Sequence, residues 1–219
     1  MRKLVWAVTV ALSAIFGIVA SAAGYALLGG AYNNASIGDG VLGVCFANNT
    51  PVYTHRAILM SGLRQWGTAK NITLSSNGRC DNDGSNLQVG WAAGDCTGPT
   101  IVLAWVVPGS YTNVYSTAWL NYNANCGSNF YWWGGTNPVP SGQFDAYSIA
   151  THEMGHAYGV AHTPIAEAGE QVMEPDAPCI ANSNRYTSLS DDDADAIRAR
   201  YPGLVDTAAA FNLSAGCIN

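Results

Sequence analysis

The sequence predicts a single α/β (α+β) domain, and three observations carry that prediction. Short β-prone runs recur at residues 41–46, 87–91, 101–107 and 118–122. Helical periodicity appears over 54–69, 144–159 and 190–201. The length of 219 residues suits one domain with short additions, the apolar fraction of 48% permits a sizeable core, and no internal repeat is evident. Charged residues make up only 11% and the net charge is −6, so there is no basic stripe to neutralise phosphates and no nucleic-acid partner is expected.

Arg2 and Lys3 precede a charge-free run from Leu4 to Ala20, and Ala20-Ser21-Ala22 or Ser21-Ala22-Ala23 offers a small-residue cleavage site. Residues 1–23 therefore read as a secretory signal, and the mature chain is expected to be extracellular, without stable membrane association. Left uncut, the same run of about seventeen apolar residues would serve as a membrane anchor. Its Ala, Ser and Gly content favours the signal. Cleavage removes both Arg2 and Lys3, which takes the net charge from −6 to −8. Residues 24–40, rich in Gly and Asn, read as a short linker.

Residues 41–46 are apolar and β-prone, the first expected strand. From Thr54 to Ala69 the period becomes helical, with Leu59, Leu63 and Trp66 at i, i+4 and i+7 and Thr54 as the candidate cap. His55 falls in the first turn, where a lone histidine is more often a surface or capping residue than a ligand. Residues 71–100 are broken by turn residues. Among them Asp81, Asp83 and Ser85 alternate like the opening of a Ca²⁺ loop, yet Ala92 stands where that loop needs its glutamate. A tight turn at Asp83-Gly84 accounts for the same residues and is the favoured reading, with Ca²⁺ as the alternative. Residues 87–91, 101–107 and 118–122 follow as strands. Phe130-Tyr131-Trp132-Trp133 is an aromatic cluster in a loop or short strand, expected in the core.

The helix over 144–159 carries the chemistry. Asp145 in its first turn suits the positive end of the helix dipole. Three of the four histidines fall in HEMGHAYGVAH, spaced H-E-x-x-H-x-x-G-x-x-H. On a helix His152 and His156 stand one turn apart on one face, about 5–6 Å between Cβ atoms. Each can offer a nitrogen to one Zn²⁺ at roughly 2.0–2.1 Å, with one position left open for water. Glu153 lies one step round the helix, within reach of such a water without being a ligand. Gly159 can take a left-handed conformation that ends the helix and turns His162 back as third ligand. Residue frequencies make a chance match of this length rare, on the order of one in a hundred thousand.

After His162 comes an irregular stretch containing Val172-Met173-Glu174-Pro175. Ser190 is then a candidate N-cap, with Asp191, Asp192 and Asp193 in the first turn, Arg198 and Arg200 near the end, and Pro202 beyond. Residues 203–219 form a tail. The six cysteines, at 45, 80, 96, 126, 179 and 217, all lie beyond the signal and imply three disulfides. Sequence does not choose among the fifteen pairings. The working expectation is Cys80–Cys96, Cys179–Cys217 tethering the tail, and Cys45–Cys126. Zinc ligation by these cysteines is the rival, but no C-x-x-C spacing supports it.

With the long zinc motif and Met173 in view, the chain resembles the metzincin zinc endopeptidases, and among them the matrixins. HEMGHAYGVAH matches the long zinc-binding signature throughout. Val172-Met173-Glu174-Pro175 is similar to the matrixin Met-turn, and Leu189-Ser190-Asp191-Asp192 before a helix resembles the segment that closes matrixin catalytic domains. A looser similarity covers Asn48 to Trp66. The resemblance implies a metzincin-like catalytic domain over 41–202. Its twisted mixed sheet would pack on an active-site helix and a C-terminal helix, with 101–107 as the edge strand over the cleft. It further implies Zn²⁺ held by His152, His156 and His162, Glu153 as catalytic base, Gly159 as the turn and Met173 as an apolar floor. The expected partner is a protein or peptide substrate, bound by a monomer.

The chain also departs from the family. No PRCGxPD-like segment precedes the first strand, so latency by a cysteine switch is not expected. Glu174 replaces the usual tyrosine of the matrixin turn, and Pro175 stands where astacins and serralysins place theirs. His162, rather than Asp, as third ligand argues against snapalysin-like peptidases. Two other functions stay open: a zinc hydrolase of non-peptide amides or cell-wall material, and an inactive secreted binding module using Trp132 and Trp133.

Overall fold

Strand pairing, more than any single apolar run, organises this chain. The computed structural model describes residues 19–20, 25–28, 31–32, 41–47, 52–80, 87–92, 104–108, 114–115, 118–123, 131–135, 138–140, 143–163, 172–174 and 188–204. Short two-residue strands come first: β1 (Val19–Ala20), β2 (Ala26–Leu27) and β3 (Ala31–Tyr32). The main strands follow as β4 (Val41–Phe46), β5 (Thr73–Arg79), β6 (Leu87–Ala92) and β7 (Ala104–Pro108). Next are β8 (Val114–Tyr115), β9 (Ala118–Asn123), β10 (Tyr131–Trp133) and β11 (Gln143–Asp145). The helices are α1 (Val52–Leu63), continued by a 3₁₀ turn at Arg64–Thr68, α2 (Ala146–Ala157) and α3 (Asp191–Arg200).

The sheet has five strands in the order β5-β4-β6-β9-β7. Its first four strands run parallel, and β7 pairs antiparallel with β9 at the far edge. The expected mixed sheet is therefore present, and the strand expected at 101–107 is seen as Ala104–Pro108, at an edge among the described residues, while 101–103 lie outside them. Leu42, Val44, Phe46, Leu87 and Val89 are buried toward the helices, joining Leu59, Leu63 and Trp66 in one core. Trp66 also satisfies its indole, donating to the Thr151 carbonyl at 2.7 Å and so tying the 3₁₀ turn to α2.

Several sequence expectations need correction. The first helix begins at Val52, which puts Thr54 inside its first turn rather than at its cap. β5 was hidden in the stretch read as turns: its residues TLSSNGR bury only Leu74, and pairing with β4 holds it in the sheet. The ladder shifts register beside Cys45, skipping Asn77, as one extra residue in a strand does. Phe144 belongs to β11 instead of the active-site helix. The expected pairings Cys45–Cys126 and Cys80–Cys96 are both replaced by Cys45–Cys80, with Cα atoms 5.0 Å apart. Adjacent parallel strands bring these two cysteines within bridging distance, an arrangement invisible without β5. The Cys179–Cys217 pairing and the Asp81–Ser85 alternation lie outside the described residues.

The aromatic cluster becomes β10, paired in parallel with β11, and Trp133 is half-buried rather than in the core. His55 is half-buried too, its ring lying so close to Gly134 that a Cβ there would fall 2.3 Å from its Cδ2. Among the described residues no helix is long and apolar enough to cross a membrane.

Candidate active site

Every residue of α2 is buried, so this helix runs through the interior with its polar side chains enclosed. Their positions follow from how the helix starts and stops. At the start Asp145 is the N-cap, its Oδ2 accepting from the Ser148 amide at 3.0 Å and the Ser148 hydroxyl at 2.7 Å. At the end Tyr158 is the C-cap and Gly159 takes a φ of 83°. Gly159 N–H bonds the His156 carbonyl and Val160 N–H the Gly155 carbonyl, each at 2.9 Å. These two bonds define a Schellman stop, which requires a left-handed residue where Gly159 stands. The chain reverses there and brings His162 back over the helix.

His152, His156 and His162 converge so that one ring nitrogen from each lies within 4.8 Å of the others. His162 Nε2 is 3.2 Å from His152 Nε2 and 3.2 Å from His156 Nε2. The outer nitrogens of the first two rings are fixed by main chain. His152 Nδ1 donates to the Val172 carbonyl at 2.7 Å and His156 Nδ1 to the Val160 carbonyl at 2.9 Å. A carbonyl only accepts, so both Nδ1 atoms carry the proton and both Nε2 atoms present lone pairs to His162. One shared proton cannot satisfy that set, whereas a cation can. Nitrogens bound tetrahedrally at roughly 2.0–2.1 Å would stand about 3.3 Å apart, close to the two separations seen.

Electrostatics agree with a neutral donor set. Burial lowers His152 to about 3, with a further push from His162 opposed by the Val172 bond. Burial brings His162 down to about 4, and burial with both neighbouring histidines holds His156 well below the ordinary 6.5. Glu153 shifts the other way, raised by burial to about 8. Its Oε2 is buried without a hydrogen-bond partner among the described residues. A buried carboxyl oxygen without a partner is costly in a structural core and useful in a reaction centre.

Met173 is buried, its sulfur filling the space beside Gly155, where a Cβ would fall 2.3 Å from it. The Met173 carbonyl accepts from the Thr163 amide at 2.9 Å, linking this turn to the segment that carries His162.

Asp193 has a part that sequence reasoning missed. It completes a capping box with Ser190, yet it also reaches back to accept from the Val172 and Met173 amides at 3.0 and 3.3 Å. Burial raises its carboxyl even against those bonds. The S-x-x-D spacing signals the cap, but nothing in it signals the second task. Through Val172, α3 therefore holds the turn that holds His152. Tyr201, at the end of α3, donates its hydroxyl to the Tyr158 carbonyl at 3.2 Å and secures the other end of α2.

The sequence model of the matrixin peptidases (Peptidase_M10) matches residues 45–202. No curated protein matches the chain. The family match spans most of the chain and includes three imidazoles converging on a single point. The chain belongs to the matrixin family of zinc-dependent peptidases.

Proposed function

We propose that this protein is a secreted zinc endopeptidase in which His152, His156 and His162 hold one Zn²⁺ and Glu153 is the general base. The observation that carries this reading is the pair of 3.2 Å contacts from His162 Nε2 to two nitrogens whose rings are already oriented by carbonyls. Secretion rests on the charge pattern and cleavage site of residues 1–23.

Bound there, zinc would polarise the scissile carbonyl and acidify a water to a pKa of about 7. Glu153 would take up the proton of the attacking water and pass it to the leaving amine. Burial makes its carboxylate a stronger base than usual, and a cation beside it favours the ionised form in which it works. The carbonyls of Val172 and Val160 keep the His152 and His156 rings aimed while charge develops. Met173 closes the floor with apolar volume and keeps water away from the back of the site. Substrate main chain is proposed to pair with β7, which has only β9 as partner among the described residues.

Replacing Glu153 by Gln or Ala tests the assignment. Zinc content is expected to stay at one per chain while casein cleavage falls by about 10²–10⁴. An Ala variant that digests casein as well as wild type would remove Glu153 from the mechanism. A chelator that leaves cleavage untouched would remove the zinc, and with it the peptidase reading.

A further inference from the structure

We infer that the main-chain amide of Leu28 is a positioning group for the histidine cluster, acting on the Gly159–Val160 turn from a segment more than a hundred residues earlier. Leu28 N–H donates to the Gly159 carbonyl at 2.7 Å. Its neighbour Leu27 pairs antiparallel with Val160. Val160 in turn accepts the Nδ1 proton of His156 through its carbonyl. A continuous path thus runs from the amide of Leu28, through the left-handed glycine and the residue after it, to the ring of one donor. Two residues further on lies another, His162.

The helix alone does not fix this turn. The two Schellman bonds use the amides of Gly159 and Val160 and leave both of their carbonyls to other partners. The Val160 carbonyl is aimed at His156, and Leu28 takes up the Gly159 carbonyl. The strap thereby limits rotation of the peptide planes on which the spacing of His156 and His162 depends. Such outer partners matter because a ligand ring free to swing must be re-ordered each time a metal binds. Leu28 packs with Ala161 in a small buried cluster of its own, while Leu27 and Val160 pack on the main core. Removing the amide donor alone disturbs none of this packing, so its loss should be felt at the metal before it is felt in global stability.

This rests on the zinc reading above, and the test separates the two. In the full-length protein, Leu28→Pro removes the N–H, and Leu28→Ala keeps it while trimming the side chain. An ester replacing the Leu27–Leu28 peptide bond removes the donor with no change of shape. Zinc affinity is read by competition with a chromophoric chelator, and thermal unfolding is measured with and without zinc. Leu28→Pro and the ester are expected to weaken zinc about 10–100-fold. Leu28→Ala should keep affinity within about threefold of wild type, because its amide is intact. The metal-free unfolding temperature should match wild type in the ester variant, whereas Leu28→Ala should lower it equally with and without zinc by trimming a buried side chain. Unchanged zinc affinity in the ester variant overturns the inference. So does a fall in that variant's metal-free unfolding temperature as large as its fall with zinc, since that marks a merely structural contact. Failure of the wild type itself to bind one zinc would sink this inference together with the proposed function.

Discussion

Asp193→Asn changes one atom of a carboxylate that carries four hydrogen bonds. Oδ2 accepts from the Val172 amide at 3.0 Å, the Ser190 amide at 3.0 Å and the Ser190 hydroxyl at 2.8 Å, while Oδ1 accepts from the Met173 amide at 3.3 Å. An asparagine can place its oxygen at the Oδ2 position and keep three of these bonds. Its NH₂ group then faces the Met173 N–H, donor against donor, in a buried site. One charge-assisted bond lost and one amide left unsatisfied cost about 2–3 kcal/mol. Asp193→Ala removes all four acceptor contacts and should cost about 3–5 kcal/mol, among the larger single-residue effects. Ser190→Ala is the control, because it removes the cap and the hydroxyl bond to Asp193 but leaves the Val172 and Met173 bonds in place, and should cost about 1–2 kcal/mol. Urea unfolding of the metal-free proteins measures all three. Because Val172 also holds His152, the Asn variant should in addition bind zinc about tenfold more weakly. An Asn variant as stable as wild type, binding zinc equally well, would refute the view that α3 secures the Met173 turn through this carboxylate.

Other outcomes follow from the same geometry. Gly155→Ala places a Cβ 2.3 Å from the Met173 sulfur and 2.5 Å from the Trp66 ring. The sulfur can move and the ring cannot, so overpacking should cost about 1–3 kcal/mol in chemical unfolding. Replacing Cys45 and Cys80 together by Ser opens a loop spanning 35 residues. Loop-closure entropy sets the loss near about 4 kcal/mol, and a drop under about 1 kcal/mol would show that the bridge does not constrain the unfolded chain. The metal-free protein should also weaken as pH falls below 6.5. Its three histidines are held below their ordinary value, so unfolding takes up protons there, while Glu153, raised to about 8, releases one. The net uptake of two protons corresponds to roughly 3 kcal/mol of stability per pH unit between about pH 6 and pH 5. Glu153→Gln should steepen that slope by removing the opposing proton, and a slope unchanged in this variant would contradict the buried, protonated carboxyl.

Much of the site was legible because its parts are local. Two ligands one helical turn apart, a base beside the first and a glycine that must turn left-handed are all consequences of backbone geometry within eleven residues. The strands at 41–46 and 118–122 were legible because β-branched and aromatic residues crowd them. What escaped depends on neighbours far along the chain. β5 has almost no apolar signal and exists as a strand through its pairing with β4. The Cys45–Cys80 bridge depends on that pairing and was misassigned with it. Asp193 advertised its cap but not its reach of twenty residues to Met173. The helix cap at Thr54 failed because the turn began two residues earlier, at Val52, within the usual uncertainty of helix ends.

The most direct measurement is cleavage of a protein such as casein by the zinc-stripped protein as Zn²⁺ is titrated back. Activity should be absent without metal, rise in proportion to added zinc and level off at a single ion per chain. Cleavage that persists after stripping, or that ignores the returned zinc, would contradict a peptidase built on His152, His156 and His162.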